Sequence, residues 1–308
     1  MLPIIETRNL VKRYGDYTAL DKVSVAIPKG SIFGLLGPNG AGKTSLIRIL
    51  TQITAPDEGD VFFNGETLSP KHIAKIGYLP EERGLYKKSK VGEQLLYLAQ
   101  LKGMSKSEAL EKTKNWFIRL DIKDWWSKNL EELSKGMAQK IQFVSTVFHD
   151  PELLILDEPF SGFDPTNIQL MRGVLRELKE AGKTIVLSTH NMNNAETISD
   201  HITLIHKGKL VLDSNYAALK KQFSQDVYAV QFKGNMLAFA NALWVNYDLI
   251  ESKQIGENQF IAKVKLLNNS TVGDLISALM GNIEFEGVWQ DAPSMEDIFI
   301  QLTQPTAV

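Results

Sequence analysis

The chain has 308 residues, 44% of them hydrophobic, with 34 Lys/Arg against 36 Asp/Glu, 5 His and no cysteine. A formal charge of −2 gives no electrostatic pull towards nucleic acid or an anionic bilayer. The missing thiols exclude disulfides and thiolate metal sites, and they fit a reducing cytosol. The length suits one large core, or a main domain with a smaller companion. No run approaches the ~18 apolar residues that a membrane span requires, so a role at a membrane needs another chain to cross it. Met1-Leu2-Pro3-Ile4-Ile5-Glu6 has no basic segment followed by an apolar run, and no signal peptide is expected.

Residues 4–36 alternate short apolar runs with turns at Tyr14-Gly15-Asp16 and Pro28-Lys29-Gly30, a pattern that predicts strands. The last run, Ile32-Phe33-Gly34-Leu35-Leu36, feeds directly into Gly37-Pro38-Asn39-Gly40-Ala41-Gly42-Lys43-Thr44-Ser45. These nine residues match the phosphate-cradling pattern Gly-x-x-x-x-Gly-Lys-[Ser/Thr]. Leu46-Ile47-Arg48-Ile49-Leu50 then reads as a helix. A glycine turn between strand and helix aims backbone N–H groups and a helix N-terminus at an anion. Lys43 adds a point charge for β- and γ-phosphates, and the Thr44 hydroxyl can ligate Mg²⁺. A chance match is expected in about one chain in a hundred of this size.

Gly59-Asp60-Val61-Phe62-Phe63-Asn64-Gly65 predicts a further strand closed by a turn. Residues 91–149 read as helices, with Ser105 and Glu108 as a capping box and Asp150-Pro151 as the stop. Leu133-Ser134-Lys135-Gly136-Met137-Ala138-Gln139 opens one of these helices. Ser134 and Gly136 there make a second anion site of N–H groups and dipole, or simply a serine N-cap; the two readings are compatible.

Leu153-Leu154-Ile155-Leu156 and Ile185-Val186-Leu187-Ser188-Thr189 suit central strands buried on both faces. Leu170, Val174, Leu175 and Leu178 recur between them at helical spacing. The alternation predicts a mostly parallel, three-layer α/β core. Asp157 and Glu158 follow the first of these strands, at the end where open α/β sheets bind ligands. Asp157 there can hold Mg²⁺ and Glu158 can polarise an attacking water as general base. Without the phosphate loop, the pair would equally describe a solvated acidic turn. His190 follows the second strand in the same way and can reach a γ-phosphate or orient the water; a lone histidine is more often a packed or surface residue.

Taken in order, these segments resemble the ATP-binding subunit of an ABC transporter over residues 4–222. Residues 37–45 stand at that family's Walker A, 153–158 at its Walker B with the adjacent glutamate, and 133–139 at its signature, usually Leu-Ser-Gly-Gly-Gln. Ser161-Gly162-Phe163-Asp164-Pro165 resembles the D-loop, with Phe163 where Leu is usual. His190 stands at the switch histidine and Tyr14 where the family stacks an aromatic on adenine. Gly77-Tyr78-Leu79-Pro80-Glu81 aligns with the Q-loop. Lys135 and Met137 replace the signature's Gly and Gln, while Ser134 and Gly136 remain. Glu81 replaces the Q-loop glutamine; it keeps an oxygen for water or Mg²⁺ and is expected to make hydrolysis more dependent on the metal. The segments 78–86, 133–137 and 293–299 are similar to NatA-like, ABC-2-type bacterial exporter ATPases.

The resemblance implies a P-loop NTPase core with an N-terminal antiparallel β subdomain and a helical subdomain at about 85–150, all within 1–222. It implies ATP and Mg²⁺ as cofactors. It implies a homodimer or heterodimer with a second nucleotide-binding domain, because the phosphate loop of one faces the signature of the other. It also implies separate transmembrane permease subunits and a place on the cytoplasmic face of the cell membrane. The run Glu81, Glu82, Arg83, Lys87, Lys88, Lys90 is a candidate contact with those subunits, or a solvated loop.

Residues 225–308 read as a separate accessory α+β domain. The predicted order is β-α-β-β-α-β followed by a helix, a ferredoxin-like split. Four Lys against 10 Asp/Glu in this tail, a net of −6, oppose a nucleic-acid groove. Of the rival functions, a GTPase lacks its [Asn/Thr]-Lys-x-Asp motif here. A soluble ABC-type ATPase with a non-transport role usually carries paired cassettes, coiled coils or zinc cysteines, none of them present. A binding-only cassette is opposed by Glu158 and His190.

Overall fold

The computed structural model describes residues 2–82, 84–86, 88–223, 226–243, 246–291 and 293–303. It divides into two compact units: Met1–Tyr216 with the chain end from Leu302, and Ala217–Gln301. Arg83 and Lys87 of the charged run lie outside the described residues.

The first unit opens with strands β1 (Ile5–Tyr14), β2 (Tyr17–Val23) and β3 (Ala26–Ile27), then β4 (Ile32–Leu36), helix α1 (Lys43–Leu50), β5 (Glu58–Phe63), β6 (Glu66–Thr67) and β7 (Ile76–Leu79). A helical segment follows, α2 (Val91–Leu101), α3 (Lys106–Arg119) and α4 (Lys135–Val147). The unit closes with β8 (Leu153–Asp157), α5 (Pro165–Glu180), β9 (Thr184–Thr189), α6 (Met192–Glu196), β10 (His201–His206) and β11 (Lys209–Asn215).

Two sheets carry this unit. The order β2-β1-β5-β6, with β3 on β1, is the antiparallel sheet. The second sheet has the order β11-β10-β4-β9-β8-β7, parallel except for β11. Every residue of β4, β8 and β9 is buried, as expected of parallel strands covered on both faces. Each fully buried Leu or Ile there contributes about 1.5–3 kcal/mol relative to exposure. Helices α4, α5 and α6 pack on this sheet.

Register fixes where the chemistry lands. Leu36 pairs with Thr189, and Asp157 pairs with Ser188. The strands β4, β8 and β9 therefore end side by side, and whatever follows each one meets at the same edge. In the helical segment, the Ser105 hydroxyl accepts from the Glu108 N–H and caps α3. Gly92 lies against the Trp126 indole, where a Cβ would stand 2.3 Å from a ring carbon.

The second unit takes Ala217 onward of α7 (Tyr216–Phe223), then β12 (Val227–Gly234), α8 (Met236–Ala242), β13 (Tyr247–Gly256), β14 (Gln259–Leu266), α9 (Val272–Leu279), β15 (Ile283–Gln290) and α10 (Met295–Thr303) as far as Gln301. Its sheet order is β13-β14-β12-β15, antiparallel throughout. Across the sheet these are the unit's second, third, first and fourth strands in chain order, which is the ferredoxin-like split. Phe232, Phe239, Val264, Leu275 and Leu279 pack into its core, and Phe232 and Phe239 stack with centroids 4.4 Å apart. Thr271 and Asp274 form a capping box at the start of α9. The edge strand β13 breaks register twice, between Leu249 and Glu251 and between Gln254 and Gly256.

Among the described residues, no helix is long and apolar enough to cross a membrane.

Candidate functional site

A cavity of about 300 Å³ opens where β4, β8 and β9 end. Its lining includes Asn39 to Ser45 from the glycine loop and the start of α1, Asp157 at the end of β8 and Glu158 after it, Glu81 after β7, and Tyr14 and Tyr17 from the antiparallel sheet.

The loop takes its shape from glycine. Gly37 has φ 151° and Gly42 has φ 115°, both in the left-handed half of the map that side chains avoid. A Cβ on Gly37 would sit 2.2 Å from the Ile205 carbonyl oxygen, and one on Gly42 would sit 2.4 Å from that of Ala19. The loop is therefore pressed against neighbouring backbone at both ends. Gly42 caps α1 without a side-chain hydrogen bond, and no acidic residue occupies the first turn. The first N–H groups of α1 carry the helix's partial positive charge towards the cavity.

Lys43 is 7% exposed. Its Nζ donates to the carbonyls of Gly37 at 2.7 Å and Pro38 at 3.1 Å. Burial lowers its pKa, while Glu158, Asp157 and Glu81 favour its charged form. The ammonium is thus held desolvated among carboxylates, where a polyphosphate gives it a stronger partner than two peptide oxygens. Asp157 is 3% exposed and accepts from the Ser188 hydroxyl at 2.7 Å. Burial raises its pKa, and the negative charges of Glu81 and Glu158 add to that rise.

That shift has a testable sign. An acid whose folded pKa is raised costs stability once it ionises, so the cost vanishes as pH falls through the folded pKa. Asp157→Asn is expected to raise the thermal midpoint of the nucleotide-free protein at neutral pH. The gain should shrink on acidification, because the wild-type carboxyl becomes neutral too. Unfolding scans across pH, by circular dichroism, check this; an equal gain at every pH removes burial of charge as its cause.

Glu158 stands at φ 48° and is wired from three directions. It accepts from the Thr189 hydroxyl at 2.9 Å, from the His190 N–H at 2.7 Å, and its Oε1 lies 2.6 Å from His190 Nδ1. The carboxylate is thereby fixed at the cavity wall, and the imidazole reaches the site through it. Tyr17 donates from its hydroxyl to the Gly40 carbonyl at 2.9 Å. Tyr14 is half-exposed at the cavity mouth, with the Lys12 ammonium 5.5 Å from its ring centroid.

Ser134 and Gly136 lie outside this cavity. Ser134 caps α4 by accepting from the Met137 N–H. Gly136 lies against the segment after Glu158, where a Cβ would be 3.0 Å from the Gly162 carbonyl oxygen. One chain therefore presents its phosphate loop and its Ser134 helix cap at separate places.

Mg²⁺ fits the oxygen donors on offer. Among the described residues no group of three or more His, Asp or Glu is gathered as a protein-only metal cage. A hard cation held by one or two protein oxygens and substrate phosphates is the arrangement Mg²⁺ favours.

The sequence reading missed Tyr17, Ser188 and Thr189. The signal for the latter two was present: hydroxyls ending an otherwise apolar strand, directly before His190.

A profile of the ABC transporter family matches residues 20–161. The ABC transporter ATP-binding protein YhaQ of Bacillus subtilis is 38% identical over 293 residues, covering 95% of this chain and 96% of that protein. The chain belongs to the ATP-binding subunits of ABC transporters. Nod factor export ATP-binding protein I of Cupriavidus metallidurans is 34% identical over 218 residues, 69% of this chain and 71% of that one. A solved ATP-binding subunit of an ABC transporter superposes with a TM-score of 0.66 at 29% identity, over 71% of this chain and 93% of its own. As a member of this family the chain binds and hydrolyses ATP in the service of transport, and the cavity is where its glycine loop and acidic strand end converge.

Proposed function

We propose that this chain drives an exporter of a small molecule. ATP closes two nucleotide-binding subunits, and its hydrolysis reopens them against separate transmembrane permease subunits at the cytoplasmic face of the membrane. The observation that carries the chemistry is the convergence of Lys43, Thr44, Asp157 and Glu158 on one cavity. The export direction is supported by likeness to a Nod factor export protein.

In this reading residues 1–222 form the ATPase domain and 225–308 an accessory domain. Tyr14 takes the adenine, as a half-exposed ring at the mouth. The N–H groups of Gly37 and of residues 39–45, with the Lys43 ammonium, take the phosphates. Thr44 and Asp157 hold Mg²⁺, with Glu81 as a further oxygen; the ion supplies charge neutralisation on the phosphates. Glu158, fixed by Thr189 and His190, accepts the proton of the attacking water. Ser134 and Gly136 complete the site of a second subunit, which is why they stand away from this one.

The test is co-purification from native membranes in a detergent that preserves complexes. A membrane-spanning protein recovered in stoichiometric yield supports the reading. Recovery of the chain alone, with ATPase unaffected by membranes, favours a soluble ATPase without a transport role.

A further inference from the structure

We propose that Glu81 makes the cavity select metal-loaded ATP over free ATP, and that Gln142 is the positioning residue that holds Glu81 to this task. The inference rests on the nucleotide-site reading above.

The cavity wall carries Glu81, Asp157 and Glu158 with Lys43 as its lysine. The acidic side chains thus outnumber the cation before any ligand arrives. Free ATP brings a polyanion against them, whereas bound Mg²⁺ cancels about two of its charges. Glu81 is the most exposed of these carboxylates, and it lies beyond the end of β7, whose Leu79 pairs with Leu156 beside Asp157. Its charge reaches both Lys43 and Asp157 and favours the protonated form of each. A carboxylate so placed repels a bare triphosphate and tolerates a neutralised one.

An exposed side chain on a turn excludes little unless its backbone is held. Gln142, on α4, is 3% exposed. Its Nε2 donates to the Pro80 carbonyl at 3.2 Å and to the Glu82 carbonyl at 3.4 Å, the peptide oxygens on either side of Glu81. Two carbonyl partners fix which end of the amide is nitrogen. Among the described residues no group reaches its buried Oε1, a desolvation cost accepted where the amine makes both bonds. One turn along the helix, the Thr146 hydroxyl donates to the Gln142 carbonyl at 2.9 Å and lies 3.4 Å from that of Tyr78. Helix α4 thus holds the peptide oxygens on either side of Glu81, and α4 is the helix that Ser134 caps. A purely structural glutamine would stabilise the fold without touching nucleotide selectivity.

The experiment is equilibrium ATP binding by calorimetry, in excess EDTA and in excess Mg²⁺, for the wild type, E81Q, Q142M and E81Q/Q142M. The quantity read is the ratio of the Kd for free ATP to the Kd for MgATP. E81Q is expected to tighten free ATP several-fold to about tenfold, the effect of one charge removed at a partly exposed site, and so to lower the ratio. Q142M keeps the side-chain volume and loses the donor. It should lower the ratio in the same direction and add nothing in the double variant. Q142A serves in place of Q142M if that variant does not fold.

A ratio unchanged in E81Q overturns the selectivity claim. So does a ratio that falls only because MgATP binds more weakly. Additive effects of E81Q and Q142M, or a Q142M that shifts the thermal midpoint alone, overturn the positioning claim. Wild-type protein that binds ATP in neither buffer sinks the nucleotide-site reading itself, a result distinct from all of these.

Discussion

Glu158→Gln is expected to slow steady-state ATP hydrolysis by about 10²- to 10⁴-fold while ATP binding survives. The amide can keep its oxygen where Oε1 now accepts from the His190 N–H at 2.7 Å and turn its NH2 to the Thr189 hydroxyl oxygen, now 2.9 Å from Oε2. The strand end and its φ of 48° are therefore retained, and only the proton acceptor is lost. With hydrolysis blocked and binding intact, ATP should accumulate a stable dimer. Turnover assays, nucleotide binding and size-exclusion chromatography with ATP together read this out. Turnover equal to wild type removes Glu158 from the reaction. His190→Ala is a useful companion, since it removes one of the groups wired to that carboxylate and leaves the carboxylate itself.

The second large effect is expected at Gly37→Ala. Its added methyl would meet the Ile205 carbonyl oxygen at 2.2 Å, at a φ of 151°. Neither partner can step aside cheaply, because both are backbone, and Ile205 belongs to β10, which is bonded to β4. The strain is expected to cost about 2–3 kcal/mol, which for a unit of this size lowers the midpoint by roughly 5–10 °C. Nucleotide affinity should fall along with it, because relief of the clash moves the N–H groups that face the phosphates. Thermal unfolding and ATP titration measure the two effects. Gly40→Ala gives the control. Gly40 also has positive φ, 76°, but nothing lies within 4 Å of the place its new methyl would take, so its cost should be conformational alone and smaller.

Much of the fold was legible because local chemistry and global burial agree here. The short aliphatic runs of β4, β8 and β9 admit few readings other than central parallel strands. The glycine loop and the carboxylates at their ends then follow from topology. The ferredoxin-like order was legible for a similar reason: alternating apolar residues in β12 and β14 and a Thr271 cap on α9 mark each element's type and limits. Strand β7 was harder. It is four residues long with a glycine inside, too short for periodicity to declare it, and it owes its existence to pairing with β8. Without β7 in hand, Glu81 had an alignment to a family pattern but no place on a sheet. Gln142 carried no signal at all. A glutamine among the apolar residues of α4 looks like an ordinary helix former, and its role depends on which backbone it meets 60 residues away. Long-range polar contacts of this kind have no period and no motif, so only the folded chain reveals them.

The two register breaks in β13 bear on how the tail unit behaves at high concentration. An open sheet edge offers a row of unpaired peptide groups to any passing strand, and a straight edge of ten residues invites sheet-to-sheet stacking. Bulges near both ends of the edge turn those groups out of line. The longest stretch left regular is Glu251 to Gln254, too short and too charged to template a neighbour. This edge of the acidic tail is therefore a poor template for a neighbouring chain, and a straightened β13 is expected to raise aggregation, as light scattering of the purified protein would read.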